Sequence, residues 1–410
     1  MQKTPWHQEN WFTSPWNFEP EAMKDFSFAP QIKFHDVSLR DGEQQAGLVF
    51  SKDQKIALAD KMAEMGMHRI EAGMPAVSAQ DREAIIEIAK RYDGTNGPEI
   101  FAFARCMKQD VLKAVDCGVK GIVVEIPASE HMVKYAYNWE YEKAIDLAIE
   151  ATQCARENGL YTVFFTIDGT RTGMDTYFDL VTRVATEGHM DALAVVDTLG
   201  GLAPHACNYL IRRIKKVIDK PLEVHFHDDF GLGAANTLMA LSAGAEVAHT
   251  TITGIGERAG NAAYEDVALS LLTMYGIDTG LKYNKMCELS EMMRTFCGHQ
   301  IPSNRAIVGP TLAQIESGIV ADWWLNAHKE HPLEVSPYLY SLVGHPDAKV
   351  VIGKMSGIPT VDIYLDQLGL TCDSKEQKME IVLKIKEKAF EKHGLLTVGE
   401  FADIAHSVIG

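Results

Sequence analysis

The stretch LEVHFHDDFGLGAANTLMALSAG, residues 222–244, begins with an apolar run and continues with apolar residues at helical spacing. We interpret it as a β-strand over 221–227 and a helix over 231–243, joined by acidic residues and glycine. Residues two apart on a strand point to the same face. His225 and His227 therefore direct both imidazoles into one space at the end of the strand, where a metal ion could bind both. The alternative is that two histidines lie by chance on a half-buried strand.

The same order of elements recurs through most of the chain. Short β-rich runs end in glycine, proline or acidic residues, and each is followed by an amphipathic helical stretch. Strands are predicted at 32–36, 68–72, 99–104, 121–126, 160–167, 192–197, 221–227 and 247–252, and helices near 52–65, 79–91, 108–116, 138–158, 173–187, 204–217, 231–243 and 261–276. Eight such units in about 245 residues predict an α/β fold closed into a (β/α)8 TIM barrel, which takes roughly 250 residues. The absence of a G-x-G-x-x-G motif after the first strand disfavours a Rossmann fold.

Composition narrows the class of partner. The 410 residues carry a net charge of −17, which argues against nucleic acid or an anionic membrane as the main partner. No apolar run approaches the roughly 20 residues that span a bilayer, and the N-terminus lacks the apolar region of a secretory signal. The seven cysteines are scattered without a C-x-x-C motif. These features predict a cytoplasmic protein.

Four segments are expected along the chain. Residues 1–30 form an aromatic arm with three tryptophans and four prolines, which packs on the body or on a second subunit. Residues 31–280 form the catalytic barrel, and 281–330 form a linker or lid subdomain of helices and loops. Residues 331–410 form a small, mainly helical subdomain, with helical periodicity near 375–392 and 396–408.

Three clusters that are distant in sequence should meet at the mouth of this barrel. They are SLRDGEQ (38–44) after strand 1, the two histidines of strand 7, and GIGERAGN (254–261) after strand 8. Strands 7 and 1 both neighbour strand 8 in a closed ring, and active sites of such barrels lie at the carboxyl ends of the strands. The predicted metal ligands are Asp41, His225, His227 and Asn261. This mixed nitrogen and oxygen set suits Zn, Mn, Fe, Co or Mg, and Arg40 adds a positive charge beside it.

Other polar residues fall at predicted strand ends. They are Glu71, Arg105, Glu125, His131, Asp168, Arg171, Asp197 and Thr198. Each is more often a structural ion-pair or capping residue than a catalyst, although a position at the barrel mouth favours a role in the site.

The motifs LRDGEQ (39–44), HFHDDFG (225–231) and GIGERAGN (254–261), in this order, resemble the DRE-TIM metallolyase superfamily. IEAGMP (70–75) and DTLGGLAP (197–204) support the resemblance. The superfamily includes 2-isopropylmalate, homocitrate and citramalate synthases and the HMG-CoA lyases. The resemblance implies a divalent metal, Mn, Zn, Mg or Co, an acyl-CoA co-substrate and a 2-oxo acid.

The resemblance also implies roles for individual residues. Arg40 would stabilise an enolate or carbonyl oxygen, Asp41, His225 and His227 would hold the metal with Asn261, and Thr198 would receive the carboxylate of the 2-oxo acid. The further residues assigned to the site are Glu257 and Tyr338 for catalysis, and Gln44, His131 and Asp168 for substrate binding.

The chain departs from the synthase pattern at two places. Val320 stands where the synthases carry a histidine that deprotonates acetyl-CoA, so the base must come from another residue. The candidates are Tyr338, Tyr340, His328, His299, Glu257 and His131. After strand 5 the usual S-x-E-D motif becomes Thr166-Ile167-Asp168. The loop GERAGN, in contrast, is similar to that of the synthases, because it lacks the cysteine that the lyases of the superfamily carry after strand 8.

The leading hypothesis is therefore a metal-dependent Claisen-type condensation of acetyl-CoA with a 2-oxo acid, which yields a 2-hydroxy dicarboxylate. The second hypothesis is a lyase or aldolase that cleaves a 2-hydroxy acid or its CoA ester, and the third is a non-catalytic, metal-bound scaffold. Because of Val320 we do not expect a standard leucine-pathway isopropylmalate synthase, unless His328 takes over the role of the base. A homodimer or higher homo-oligomer is expected, with no nucleic-acid or membrane partner.

Overall fold

The computed structural model describes residues 4–298 and 300–410, and within them eight parallel strands close into a barrel. The strands are β1 (Lys33–Asp36), β2 (Arg69–Glu71), β3 (Glu99–Arg105), β4 (Gly121–Pro127), β5 (Tyr161–Ile167), β6 (Ala192–Asp197), β7 (Leu222–Phe226) and β8 (Val247–Thr250). They follow one another around the ring in chain order, and β8 closes on β1 with Lys33 opposite Val247 and Asp36 opposite Thr250. The predicted α/β barrel is confirmed.

Helices connect the strands and pack around them. They are α1 (Pro20–Met23), α2 (Lys52–Met65), α3 (Ala79–Arg91), α4 (Lys108–Asp116), α5 (Glu130–Tyr135), α6 (Tyr141–Glu157), α7 (Met174–Glu187), α8 (Pro204–Lys215), α9 (Gly233–Ser242), α10 (Tyr264–Tyr275) and α11 (Met286–Cys297). The helix predicted to start at residue 138 begins instead at Tyr141, because Asn138 has a left-handed φ of 56° that no α-helix contains. The short helix α5 was not predicted.

Local sequence signals explain why the predicted boundaries of α2 agree with the structure. The Ser51 side chain accepts a hydrogen bond from the Gln54 amide, and the Gln54 side chain accepts one from the Ser51 amide. This capping box satisfies backbone donors at the start of the helix. Gly66 ends the helix with φ of 92°, a conformation that glycine adopts without a steric penalty.

A second compact unit consists of residues 4–15 and 302–410, whereas residues 16–301 form the barrel unit. Its elements are β9 (Gln314–Ile315), α12 (Gly318–Ala327), β10 (Lys349–Val350), α13 (Ile358–Leu368), α14 (Lys375–Lys392) and α15 (Val398–Ile409). The two helices predicted near 375–392 and 396–408 are confirmed. Their apolar faces share one core that includes Ile381, Ile385 and Phe401.

The first residues of the chain belong to this second unit. The Phe12 amide donates to the Pro337 carbonyl at 2.9 Å, and the Leu339 amide donates to the Asn10 carbonyl at 2.9 Å. The aromatic segment is therefore ordered by backbone hydrogen bonds to residues 337–339. The four-segment division predicted from the sequence stays a prediction. Among the described residues, no helix has the length and apolarity that a membrane crossing requires.

Candidate metal centre at the barrel mouth

Three side chains from two separate parts of the chain meet at the carboxyl ends of β7 and β1. His225 lies on β7, His227 follows it directly, and Asp41 lies in the loop after β1. His225 Nε2 is 3.4 Å from His227 Nε2 and 3.6 Å from Asp41 Oδ2. All three residues are buried, and their potential ligand atoms lie within 4.8 Å of one another. The structure thus brings together the three residues predicted to bind a metal.

Hydrogen bonding indicates which nitrogen of each imidazole faces the cluster. His227 Nδ1 lies 3.1 Å from the Gly260 carbonyl oxygen, which can only accept, so Nδ1 carries the proton and Nε2 keeps its lone pair. Burial lowers the pKa of His225 well below its ordinary value, and the neighbouring His227 and Arg40 lower it further. Two imidazoles with adjacent ring nitrogen atoms form a suitable pair of ligands for a divalent cation.

The carboxylate of the cluster is held by Arg40. Arg40 Nη1 donates to Asp41 Oδ2 at 2.6 Å, and its Nε donates to Glu71 Oε1. Burial alone would raise the pKa of Asp41, but the charges of Arg40 and His227 and the hydrogen bonds from Asn261 and Arg40 together outweigh it and place the pKa below the ordinary value. Asp41 is therefore ionised at neutral pH and able to bind a cation.

Arg40 also offers a donor to a ligand. Its buried Nη2 has no hydrogen-bond partner among the described residues. The guanidinium carbon lies 3.9 Å from the centre of the Phe103 ring, which restricts its orientation. A buried guanidinium with one unpaired donor can stabilise negative charge on a substrate oxygen. Gln44, predicted to bind substrate, is exposed and only touches the edge of this group, with Oε1 3.5 Å from Arg40 Nη1.

Asn261, the fourth predicted ligand, borders the same space. Its Nδ2 donates to Asp41 Oδ1 at 2.6 Å, whereas its buried Oδ1 has no hydrogen-bond partner within the described part of the chain. The amide oxygen is thus available to a cation or to a water molecule bound to it.

Two glycines allow the loop after β8 to pass this close. Gly256 has φ of 150°, and a Cβ there would lie 2.3 Å from Asn261 Nδ2 and 3.0 Å from Asp41 Oδ1. A Cβ on Gly260 would lie 1.8 Å from the Gly254 carbonyl oxygen. A side chain at either position would collide with the metal ligands or with the loop that carries them. Glycine is therefore sterically required at both of these positions of the GIGERAGN sequence.

Glu257, predicted to be catalytic, projects from the same loop. Its side chain is 58% exposed and pairs with Arg258 at 3.4 Å. Arg258 in turn binds Asp229 at 2.9 Å and donates to the Thr198 carbonyl at 2.5 Å. Glu257 thus lies at the rim of the mouth, while Arg258 ties together the loops after β6, β7 and β8.

Asp168 forms a second hydrogen-bond centre, after β5. Its buried carboxylate accepts from Ser129 at 2.5 Å and from Arg171 at 2.6 Å, and lies 3.0 Å from His131 Nε2. Its backbone amide donates to Thr198 Oγ1 at 2.8 Å. Three of the predicted substrate-binding residues, His131, Asp168 and Thr198, are therefore brought together. Asp168 holds φ at 59°, an uncommon conformation for aspartate that these contacts stabilise.

Most of the remaining predicted residues belong to the second compact unit. Tyr338 belongs to the second compact unit, where it pairs through its backbone with Trp11, and its catalytic role stays a prediction. His328 stacks on Trp324 with ring centres 3.9 Å apart, and Val320 lies in α12. His299 lies outside the described residues.

Sequence reasoning missed a group of polar residues inside the barrel. Glu71 was noted only as a strand-end residue, yet it orients Arg40. His35, Glu223 and His249 form a further cluster that was not predicted at all. The available signal was the alternation Glu223-x-His225-x-His227, which places a third polar side chain on the same face of β7.

The chain is similar to a known protein family and to proteins of known function. The HMGL-like family model matches residues 31–293. Homocitrate synthase AksA of Methanopyrus kandleri is 35% identical over 95% of this chain and 95% of its own length. The 2-isopropylmalate synthase of Methanocaldococcus jannaschii is 36% identical over 95% of this chain and 74% of its own.

The fold of this chain is also similar to that of a solved structure. HMG-CoA lyase of Bacillus subtilis superposes with a TM-score of 0.60 at 21% identity, over 68% of this chain and 97% of the lyase. At this identity the likeness concerns the fold alone.

Proposed function

Because this chain belongs to the HMGL-like family, we propose that it is a divalent-metal-dependent synthase that condenses acetyl-CoA with a 2-oxo acid. The observation that carries the proposal is the convergence of Asp41, His225 and His227 beside the unpaired donor of Arg40. A metal ion and a guanidinium at one point are suited to a substrate whose carboxylate and keto oxygen lie next to each other.

Each residue of the candidate site has a separate role in the proposed reaction. When bound, a divalent cation would polarise the keto group of the acid. Arg40 would donate from Nη2 to the oxygen on which negative charge develops, and Glu71 would keep the guanidinium in place. Thr198 would bind the carboxylate of the 2-oxo acid, with its hydroxyl oriented by the Asp168 amide. Gln44 and His131 would contact the rest of the substrate.

We assign the acid–base role to Glu257 and Tyr338. Val320 can neither accept nor donate a proton, so the usual histidine is replaced by another group. Glu257 is the exposed carboxylate of the loop that carries Asn261, and Tyr338 is the candidate from the second compact unit. Replacing each in turn by Gln or Phe should lower kcat with little effect on metal content.

Condensation is favoured over cleavage for two reasons. The relatives at 35–36% identity are named synthases, and the loop over residues 256–261 contains no cysteine, unlike the lyases of the superfamily.

We further propose a cytoplasmic homodimer in which the second unit acts as a lid. Light scattering that shows a fully active monomer at micromolar concentration would contradict the dimer.

The function is tested by thiol release. The purified protein, loaded with zinc or manganese, is incubated with acetyl-CoA and one of glyoxylate, pyruvate, oxaloacetate, 2-oxoglutarate or 2-oxoisovalerate. We expect thiol release with at least one acid, but not a turnover of roughly 1–1000 per second with 2-oxoisovalerate. Arg91→Lys, on the surface of α3, is the control for Arg40→Lys at the centre. Turnover with none of the acids, together with cleavage of a 2-hydroxy acid or its CoA ester, would establish the lyase alternative.

A further inference from the structure

A second group of potential ligands lies deeper in the barrel than the metal centre. His35 of β1, Glu223 of β7 and His249 of β8 are fully buried, with potential ligand atoms within 4.8 Å of one another. Glu223 Oε2 lies 2.7 Å from His249 Nε2 and 3.8 Å from His35 Nδ1. Glu223 precedes His225 by two residues on β7, which separates the two groups by about 7 Å along the strand.

The surroundings of His35 favour one tautomer. Its Nε2 points toward Glu71 Oε2 at 3.7 Å, so a proton on Nε2 is attracted to that carboxylate, and Nδ1 then keeps its lone pair toward Glu223. Neither ring nitrogen of His35 has a hydrogen-bond partner among the residues described, and Glu71 Oε2 has none either. A carboxylate behind the distal nitrogen of an imidazole is the usual outer partner of a metal-binding histidine.

Glu223 is also prepared to bind a cation. Its Oε1 accepts from Arg69 Nη1 at 2.7 Å, which leaves Oε2 directed at the two histidines. Glu223 Oε2 and His249 Nε2, which lie 2.7 Å apart, form a hydrogen bond. Coordination of a cation by both atoms would replace this hydrogen bond.

We propose that His35, Glu223 and His249 form a second divalent-cation site, separate from the centre at the barrel mouth. Two imidazoles and one carboxylate are a ligand set that zinc takes in proteins. The two groups are separated by about 7 Å along the strand, whereas the ions of a bridged two-metal centre are roughly 4 Å apart. The two ions would therefore share no bridging ligand. Complete burial assigns the deeper ion a structural role.

The unpaired ring nitrogens of His35 favour a ligand at this point. A buried polar atom without a partner destabilises the folded protein, and neither nitrogen of His35 has a partner in the described part of the molecule. Coordination would use the Nδ1 lone pair of His35 and strengthen its Nε2–H contact to Glu71. Since Glu71 also binds Arg40, the deeper ion would help to orient the guanidinium of the upper centre.

The test is a count of ions per chain. The protein is produced without a histidine tag in zinc-supplemented medium, desalted without chelator, and analysed by inductively coupled plasma and native mass spectrometry. We expect two zinc ions in the wild type and one in Glu223→Gln, a change that keeps size and hydrogen bonding to Arg69. The double variant His225→Gln/His227→Gln should also hold one. The control Glu99→Gln, which changes the other partner of Arg69, should hold two.

Two results would overturn the site. One is a wild type with a single zinc ion that His225→Gln/His227→Gln abolishes, which would leave the upper centre and the proposed function intact. The other is a wild type with two ions that Glu223→Gln leaves unchanged. If Glu223→Gln does not fold, anomalous diffraction from wild-type crystals at the zinc edge decides, since the proposal requires a peak between His35 and His249.

Discussion

The two halves of the barrel interior differ in chemistry although they share one geometry. Most inward residues of β3–β6 are apolar and form one core cluster of Phe101, Phe103, Val123, Val163, Phe165, Ala192, Ala194 and Val196. Those of β1, β2, β7 and β8 are His35, Arg69, Glu71, Glu223, His225 and His249. The apolar half supplies burial energy, and the polar half supplies ligands and charge. The position of the functional site therefore depends on which strands carry polar residues at inward positions, and not on the fold itself.

The polar half is stabilised by pairing. Arg69 and Glu223, on strands that are not neighbours, are in contact at 2.7 Å across the interior, and Arg40 binds Glu71. Because a charge left unpaired in such surroundings would cost several kcal/mol, each partner constrains the other. Val163 and the other aliphatic residues of the apolar half carry no such pairing, so changes at these residues should affect stability without affecting the chemistry. Phe103 differs from them because its ring lies against the guanidinium of Arg40.

The largest effect is expected in the polar half at its open end. His227→Gln should remove the upper metal ion and lower activity by more than about a thousandfold, since loss of an outer partner of a ligand alone typically costs 10–100-fold. Metal analysis and the thiol-release assay measure both effects. Retention of full activity in the double variant His225→Ala/His227→Ala would contradict the site.

Arg40→Lys should lower kcat by about a hundredfold while the metal content stays unchanged. A lysine ammonium carries its three donors on one nitrogen atom, so it cannot reproduce the planar spread of the guanidinium, whose separate nitrogen atoms reach Glu71, Asp41 and the substrate. Steady-state kinetics with the responding 2-oxo acid measure the effect. A change in KM alone would show that Arg40 only binds the ground state.

In the apolar half, Val163→Ala should lower the free energy of unfolding by about 2 kcal/mol, because Val163 is fully buried. Metal content and kcat should not change. Urea unfolding measures the stability, and Val77→Ala is the matched control, since Val77 is 67% exposed. Loss of metal in Val163→Ala would show that the two halves are coupled.

The last effect is confined to high pH and concerns Glu125, which lies near the end of β4 in the apolar half. Burial raises its pKa to about 7, against the lowering effect of Arg40. A carboxyl with a raised pKa favours the folded state at low pH, and this contribution is lost as pH rises from about 4.5 through 7. Near pH 4, Glu125→Gln should therefore have the same free energy of unfolding as the metal-free wild type. At pH 8 its free energy of unfolding should be higher by about 1–3 kcal/mol. Urea unfolding at both pH values measures this, with exposed Glu150→Gln as control.

Much of the barrel could be predicted because its strands and helices have strong local signals. The eight predicted strands are all present, and the helices over 52–65, 79–91 and 108–116 have the predicted bounds. The start of α6 was wrong because one asparagine adopts a left-handed conformation, which has no clear signal in the sequence. The convergence of Asp41 with His225 and His227 followed from ring closure, since β8 lies between β7 and β1.

The sequence by itself thus determined the barrel and the convergence of Asp41, His225 and His227 at its mouth, because these depend on periodicity and on the order of the strands. Only the tertiary structure decided that Glu71 holds Arg40, that Asp168 joins the loops after β4, β5 and β6, and that His35, Glu223 and His249 meet. These contacts depend on the stagger of strands around the closed ring, which sets the depth of each inward side chain. Periodicity indicates the face on which a side chain lies, but not its depth in the barrel.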